Sequence, residues 1–293
     1  MTEKTNTQPQ AAPALDPATT VGTVTLGVAD LEKMTQFYHQ IIGLTILDRT
    51  PQTAALGIDA VPLVKLEARP NGKRYPRATG LFHLAILLPT RRDLGHWLGH
   101  LAANRYPLAG AGDHLVSEAL YLSDPEGNGI EMYRDRPRDT WEYGADGTVK
   151  MDTLAVDLPA LVADAPETAF TGLPSGTRMG HVHLQVDDVN KAVNFYRGML
   201  GFDLMATWSG AGFVSAGRYH HHLGLNTWNS RGAAPPPPGS LGLLHYQIVL
   251  PTEQMRDALL AHLETLAYPV EQTDAGPLLR DPAGNGIELA TRS

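Results

Sequence analysis

An internal repeat constrains the fold of this chain more than any other feature of its sequence. Three blocks of the first half recur in the second half, in the same order and at nearly the same spacing. The matching pairs are VGTVTLGVADLEKMTQFYHQIIGL at 21–44 with MGHVHLQVDDVNKAVNFYRGMLGF at 179–202, GLFHLAILLPT at 80–90 with GLLHYQIVLPT at 242–252, and LSDPEGNGIEM at 122–132 with LRDPAGNGIEL at 279–289. Chance similarity would not keep three blocks in register, so two copies of one structural module are predicted.

Each copy shows the same succession of strand and helix patterns. A short alternating run such as VTLGV or VHLQV predicts a strand, and the segment after it, with Asp at its start, predicts a capped amphipathic helix. An apolar strand, a second helix and a DPxGNG turn leading into a short final strand complete each copy. We therefore predict an α+β protein with a disordered tail at 1–20, an N-terminal module at 21–135, a connection at 136–178 and a C-terminal module at 179–293.

Composition excludes several classes of function. With 43% hydrophobic and 18% charged residues the chain is typical of globular proteins, and its net charge of −8, without any Lys/Arg run, argues against a nucleic-acid partner. The chain has no cysteine, so any metal must be bound by His and carboxylate side chains. No apolar stretch has the length of a signal peptide or a membrane span, and a soluble, cytoplasmic protein without a membrane partner is expected.

The order of elements and the repeated DPxGNGIE endings resemble the vicinal oxygen chelate superfamily of glyoxalases, bleomycin resistance proteins and extradiol dioxygenases. The resemblance covers 21–135 and 179–291, and it implies βαβββ units paired into half-open sheets around a metal. The string YHHHLGLNTWNSRGAAPPPPGSLGLLHY is similar to the catechol 2,3-dioxygenase branch. That branch implies a metal site in the C-terminal module.

A metal site is predicted from three polar side chains on apolar strands. Because a strand alternates faces, His181 and His183 share the face opposite the apolar residues of HVHLQV, and Glu288 is flanked by apolar neighbours in the last strand. Two imidazoles and one carboxylate make the facial triad that suits non-haem Fe(II). Resemblance to type I extradiol dioxygenases implies His181, His245 and Glu288 as ligands of Fe(II), with Mn(II) or another divalent cation as the alternative. His183 in place of His181 stays open, as does the reading of each His as an ordinary core residue.

An acid/base residue is predicted on the YHHHLGLN segment. Strand alternation places His220 and His222 on one face, and the resemblance implies a catalytic His on this strand. We predict His222 for the role and His220 as the second candidate; the alternative is a solvated strand end. The resemblance also implies a Tyr, and often a further His, ahead of the ligand Glu. The sequence EQTDAGPLLRDPAGNGIE at 271–288 has neither, so either Asp274 compensates or the reaction differs from standard catechol cleavage.

The N-terminal half has a partial copy of the same set. His83 and Glu131 stand at the places of His245 and Glu288, but Thr23 stands at the place of His181. Because a Thr hydroxyl is a weak ligand for Fe(II), this copy is predicted to be degenerate and structural, which gives one metal per chain. The alternative is that Thr25 or His114 completes a second site.

The function predicted from the sequence is that of an Fe(II)-dependent extradiol dioxygenase. Its partners would be O₂ and a small catecholic or hydroquinone-like aromatic substrate. The alternatives are a glyoxalase-type isomerase or lyase, whose metal polarises a carbonyl, and a non-catalytic protein that binds a drug or another aromatic ligand. Three ligands within one module favour the dioxygenase over the lyase. The identity of the substrate and the formation of a homo-oligomer stay open.

Overall fold

The computed structural model describes residues 12–292. Its sixteen strands form two eight-stranded sheets. In chain order they are β1 Thr20–Val28, β2 Thr45–Arg49, β3 Thr53–Ile58, β4 Val61–Ala68, β5 Gly80–Leu87, β6 Gly110–Asp113, β7 Ser117–Ser123, β8 Gly129–Asp135, β9 Arg178–Gln185, β10 Asp203–Trp208, β11 Ala211–Ser215, β12 Leu223–Asn226, β13 Gly242–Leu250, β14 Glu271–Thr273, β15 Gly276–Arg280 and β16 Gly286–Thr291.

Short helices connect the strands. They are α1 Leu31–Gln36, which continues as a π-helical turn over Phe37–Ile42, α2 Arg91–Ala103, α3 Leu158–Ala163, α4 Val189–Gly198 and α5 Glu253–Thr265, with a 3₁₀ turn at Arg138–Thr140. The predicted caps are present: the side chains of Asp30 and Asp188 accept hydrogen bonds from the backbone of the first turn of α1 and α4. No helix in the described part of the chain is long and apolar enough to cross a membrane.

The prediction of an α+β fold made of tandem βαβββ modules is confirmed. The succession strand, helix, three strands occurs four times, starting at β1, β5, β9 and β13. Each half of the chain therefore contains two such units.

The two halves are joined by pairing between their sheets. The first sheet has the order β14-β15-β16-β13-β1-β4-β3-β2, and the second has the order β10-β11-β12-β9-β5-β8-β7-β6. At the centre of the first sheet β1 runs antiparallel to β13, and at the centre of the second β9 runs antiparallel to β5. Each sheet thus combines one unit from each half, so a site on either sheet takes residues from both.

The repeated GNG turn allows the last strand of a unit to approach the first strand closely. At Gly129 in β8, a Cβ atom would lie 2.1 Å from the Phe82 carbonyl oxygen of β5. The equivalent Gly286 in β16 would meet the Leu244 carbonyl oxygen at 2.4 Å. Since no real Cβ tolerates these distances, glycine is required where the two parallel strands meet, directly beside His83 in one sheet and His245 in the other.

Alternation decides which side chains reach the core. In β9, Val182 and Leu184 are fully buried in the main hydrophobic core, whereas His181 and His183 point to the opposite face. Residues 1–11 of the predicted disordered tail lie outside the described residues. The remainder of that segment makes defined contacts, because the Leu15 backbone N–H donates to the Gly201 carbonyl at 3.3 Å and β1 already begins at Thr20.

Candidate metal centre and active site

Three buried side chains from three neighbouring strands converge on the concave face of the second sheet. Glu131 Oε2 on β8 lies 3.0 Å from His83 Nε2 on β5 and 3.2 Å from His181 Nε2 on β9. The two histidine nitrogens are 3.3 Å apart. Among the described residues this is the one group of three His or carboxylate side chains whose ligand atoms all lie within 4.8 Å of one another.

The structure does not assemble the predicted ligand set. His181 lies in the second sheet, whereas His245 on β13 and Glu288 on β16 lie in the first. The reason is that β9 pairs with β5 of the other half and not with β13 of its own half. The site also differs from the predicted domain assignment, because the converging residues come from both halves of the chain.

At the equivalent place in the first sheet, Glu288 and Thr23 have protein hydrogen-bond partners, whereas the buried His245 Nδ1 has none among the described residues. Glu288 Oε1 accepts a hydrogen bond from Gln247 Nε2 at 3.0 Å, and its Oε2 lies 3.4 Å from His245 Nδ1. The Thr23 hydroxyl donates a hydrogen bond to the Pro62 carbonyl oxygen at 2.7 Å. Gln247 thus satisfies the carboxylate where the second sheet has a histidine.

The protonation states of Glu131 and His181 favour binding of a cation by the cluster of His83, Glu131 and His181. Burial alone would raise the pKa of Glu131, but the adjacent His181 and His83 hold this pKa well below its ordinary range. Burial lowers the pKa of His181 to about 4, against the opposing effect of Glu131. At neutral pH Glu131 is therefore an ionised carboxylate beside the neutral imidazole of His181, the protonation state in which these two groups bind a metal.

The spacing of the three donor atoms also fits a metal. Two donors at about 2.1 Å from one ion and at right angles to each other lie about 3.0 Å apart. The three separations in the cluster are 3.0, 3.2 and 3.3 Å. These separations lie between the value for donors at right angles and the value of about 3.4 Å for tetrahedral donors, so His83, Glu131 and His181 are spaced to hold one metal ion.

His183, the open alternative to His181, lies outside this group of three. Its ring faces the same cavity and packs against Phe82 and Trp228, with ring centroids 5.1 and 5.5 Å away. Its Nε2 is buried and has no hydrogen-bond partner among the described residues. The geometry therefore selects His181 over His183 as a member of the cluster.

A cavity of about 560 Å³ opens onto the cluster. Its walls include five aromatic side chains: Phe82, Tyr121, Trp208, Phe213 and Trp228. Trp208 and Trp228 are 37% and 48% exposed, so they lie at the mouth of the cavity. This is a space that suits a flat, largely apolar molecule with a polar edge toward the cluster.

The histidine run at 220–222 is arranged differently from the prediction. Strand β12 begins only at Leu223, so residues 217–222 form an irregular segment to which strand alternation does not apply. His221 lines the cavity, and its ring centroid lies 4.1 Å from that of His181. His222 and His220 do not line it; His222 Nδ1 instead accepts a hydrogen bond from the Ala216 backbone N–H at 3.2 Å.

The Tyr and His that are missing ahead of Glu288 are present ahead of Glu131. Tyr121 on β7 and His114 both line the cavity, and His114 Nε2 lies 2.7 Å from the Tyr121 hydroxyl. Burial and the neighbouring Glu131 raise the pKa of Tyr121 well above its ordinary value, so the phenol keeps its proton. The repeat could have predicted this position. Tyr121 lies directly before the block that contains Glu131, and the second copy has Leu278 at the same place.

The fold and the site together define a protein of βαβββ units with a buried His/Glu/His cluster, and comparison with known families shows which superfamily it belongs to. The family model described as the Glyoxalase/Bleomycin resistance protein/Dioxygenase superfamily matches residues 20–132 and 178–289. The chain belongs to this superfamily.

Individual relatives narrow the comparison. The chain is 44% identical over 269 residues to a catechol-2,3-dioxygenase of Bacillus subtilis, covering 90% of this chain and 94% of the relative. It is 29% identical over 154 residues to biphenyl-2,3-diol 1,2-dioxygenase 3 of Rhodococcus globerulus, covering 48% of this chain and 81% of the relative. The structure of glyoxalase I from Zea mays matches with a TM-score of 0.57 at 15% identity, covering 94% of this chain and 92% of that protein, which is a likeness of fold.

Proposed function

We propose that this protein is an extradiol dioxygenase that cleaves a catecholic ring with O₂, using Fe(II) bound by His83, Glu131 and His181. The observation that carries the proposal is the buried cluster of two histidines and one glutamate at the end of an aromatic-lined cavity. The identity to a catechol-2,3-dioxygenase over most of the chain supports the same reaction. Fe(II) is proposed over Mn(II) because two imidazoles and one carboxylate on one face are the usual ligand set of non-haem iron oxygenases.

The overall reaction balances without an outside reductant. One catechol and one O₂ give one ring-opened product; the ring C–C bond next to the diol breaks, and both oxygen atoms enter the product. Bound Fe(II) would supply the electron-transfer chemistry that lets O₂ react with the aromatic ring. The protein must take up one hydroxyl proton from the catechol and later return a proton to the opened ring.

His221 is proposed to carry that proton, in place of His222 and His220. Its ring lies on the cavity wall beside His181, so a substrate that reaches the cluster passes within reach of it. A neutral imidazole can accept the hydroxyl proton and release it later in the reaction.

Tyr121 and His114 are proposed to orient the substrate. His114 Nδ1 is 2.9 Å from the Asp152 carbonyl oxygen, which can only accept, so Nδ1 carries the proton and Nε2 is free to accept from the Tyr121 hydroxyl. This fixes the phenol oxygen at the cavity wall, with its lone pairs available to a substrate hydroxyl.

A glyoxalase-type lyase or isomerase is the second candidate, favoured by one observation. The three converging residues come from both halves of the chain. The dioxygenase was favoured over the lyase because all ligands were predicted within one module, and that reason no longer applies. Such an enzyme would use the metal to polarise a carbonyl and would not consume O₂.

Oxygen consumption separates the two candidates. Protein purified without oxygen and loaded with Fe(II) is mixed with catechol in an oxygen-electrode cell, and the product is analysed after reaction with ¹⁸O₂. We expect equal consumption of O₂ and catechol, a yellow ring-opened product and two labelled oxygen atoms in it. Conversion of a hemithioacetal without O₂ uptake, and no reaction with catechol, would support the lyase.

A further inference from the structure

A series of hydrogen bonds runs from the cavity wall into the protein behind His221. His221 Nδ1 lies 2.8 Å from His220 Nδ1, and His220 Nε2 lies 3.0 Å from Asp135 Oδ1. His220 is completely buried and packs against the rings of Tyr219 and Trp141, with centroids 4.1 and 5.3 Å away. Asp135 is the last residue of β8, the strand that also carries Glu131.

The carboxylate of Asp135 fixes the direction of these hydrogen bonds. Tyr219 donates its hydroxyl to Asp135, at 3.0 Å from Oδ2 and 3.1 Å from Oδ1, and its own oxygen lies 2.8 Å from the Tyr133 hydroxyl. An ionised carboxylate can only accept hydrogen bonds. Asp135 is therefore the acceptor at which the bonds from Tyr219 and His220 end.

The proton positions on the two histidines follow from that end point. Because Asp135 accepts, His220 Nε2 must carry a proton, and in neutral His220 the other nitrogen, Nδ1, must then accept. Its partner His221 must donate from Nδ1. The proton of neutral His221 is then on Nδ1, which leaves Nε2 with a free lone pair.

We propose that Asp135 and His220 are positioning residues that hold His221 as the Nδ1–H tautomer and so present an unprotonated Nε2 to a substrate hydroxyl in the cavity. The catalytic consequence rests on the proposed function, whereas the tautomer does not. Without these hydrogen bonds both neutral tautomers of His221 would be populated. The Nε2–H tautomer could not accept the proton of a catechol hydroxyl at Nε2.

The tautomer can be measured without any turnover. The full-length chain, loaded with diamagnetic Zn(II), is studied by two-bond ¹H–¹⁵N NMR at pH 8, above the ordinary histidine pKa of about 6.5. The His221 signal is identified by its loss in His221→Phe. In the wild type we expect His221 to be protonated at Nδ1 and unprotonated at Nε2. In Asp135→Asn we expect a shift toward the Nε2–H tautomer, because the Asn amide can donate to His220 and reverse the direction of the hydrogen bonds.

Kinetics give the second readout and a matched control. Asp135→Asn is expected to lower kcat for catechol by about 10²–10⁴-fold, the usual range for loss of acid/base catalysis, with KM and iron content unchanged. Tyr219→Phe removes one hydrogen bond from the same carboxylate but leaves the His220 link, so its tautomer and kcat should stay near those of the wild type.

Two results would overturn the inference. The first is a wild-type spectrum in which His221 carries its proton on Nε2. The second is an Asp135→Asn protein with both the wild-type tautomer and the wild-type kcat. If the wild type shows the expected tautomer but does not react with catechol, the proposed function fails while the positioning of His221 stands.

Discussion

At the scale of single residues, His181 connects the two halves of the chain. It comes from the C-terminal half, yet its Nε2 meets Glu131 and His83 of the N-terminal half, and its ring packs on His221. His181 was predicted as a metal ligand together with His245 and Glu288, and the structure places it beside His83 and Glu131 instead. The positions of His83 and Glu131 were recognised as copies of ligand positions; what the sequence does not contain is which copy of each lies beside His181.

His221→Phe tests the residue proposed to move the proton. Phenylalanine keeps an aromatic ring against His181 but has no nitrogen, so iron binding should persist while turnover falls by about 10²–10⁴-fold. Iron content and kcat of the purified variant are the measurements. His222→Asn is the control and should turn over at a normal rate; equal losses in both variants would remove the specific role of His221.

His222 predicts a pH dependence of stability. Burial, together with the nearby His220 and His181, lowers the pKa of His222 to about 3 in the folded protein, whereas an unfolded histidine takes up a proton near pH 6.5. Between these values the unfolded chain binds more protons. This contribution to stability is therefore fully present above pH 6.5 and is lost progressively as the pH falls toward 3.

The variant His222→Asn isolates this contribution, because the Asn side-chain oxygen can still accept from the Ala216 N–H. Urea unfolding of both proteins is measured between pH 7 and pH 5. The free energy of unfolding of the wild type should fall more steeply on acidification, with the difference approaching about 1.4 kcal/mol per pH unit. Parallel curves would show that folding does not lower the pKa of His222.

At the scale of elements, local rules predicted the strands and helix caps but failed where the chain leaves regular structure. The alternation of HVHLQV placed His181 and His183 correctly on one face because β9 is a real strand there. The same rule applied to YHHHLGLN selected His220 and His222 for the cavity, since it assumed a strand where the structure has an irregular segment. The position of His221 depends on tertiary contacts that no local pattern records.

The glycine that ends the GNG turn is predicted to be required for close packing of β8 against β5. Gly129→Ala must push β8 away from β5, since its Cβ would lie 2.1 Å from the Phe82 carbonyl oxygen, and this should cost about 1–3 kcal/mol of stability. Glu131 lies two residues further along β8, so iron retention should fall as well.

Gly286→Ala is the control for this effect. It crowds the Leu244 carbonyl oxygen in the same way, at 2.4 Å, but in the sheet whose carboxylate is satisfied by Gln247. A comparable loss in thermal stability with iron retained is expected. Iron loss in Gly286→Ala but not in Gly129→Ala would contradict the placement of the metal in the second sheet.

At the scale of the whole molecule, pairing between halves brings two histidines and one glutamate together in the second sheet, and one histidine and one glutamate with a threonine at the equivalent place in the first. The repeat and the motifs predicted the α+β modules, and they predicted that one copy of the site would lack a ligand. They did not predict that β1 pairs with β13 and β9 with β5, because no local sequence pattern determines pairing between strands that lie so far apart in the chain. The incomplete copy is consequently Thr23 with His245 and Glu288, and not Thr23 with His83 and Glu131.

The measurement that tests this account most directly is the iron content of His83→Ala and His245→Ala, two substitutions at equivalent places in the repeat. Both proteins and the wild type are purified without oxygen, loaded with Fe(II), freed of excess metal and analysed for iron per chain. We expect about one iron in the wild type and in His245→Ala and nearly none in His83→Ala, because loss of one of three ligands leaves too few bonds to hold the ion. Iron retained by His83→Ala and lost by His245→Ala would show that the metal lies in the first sheet and would contradict the account.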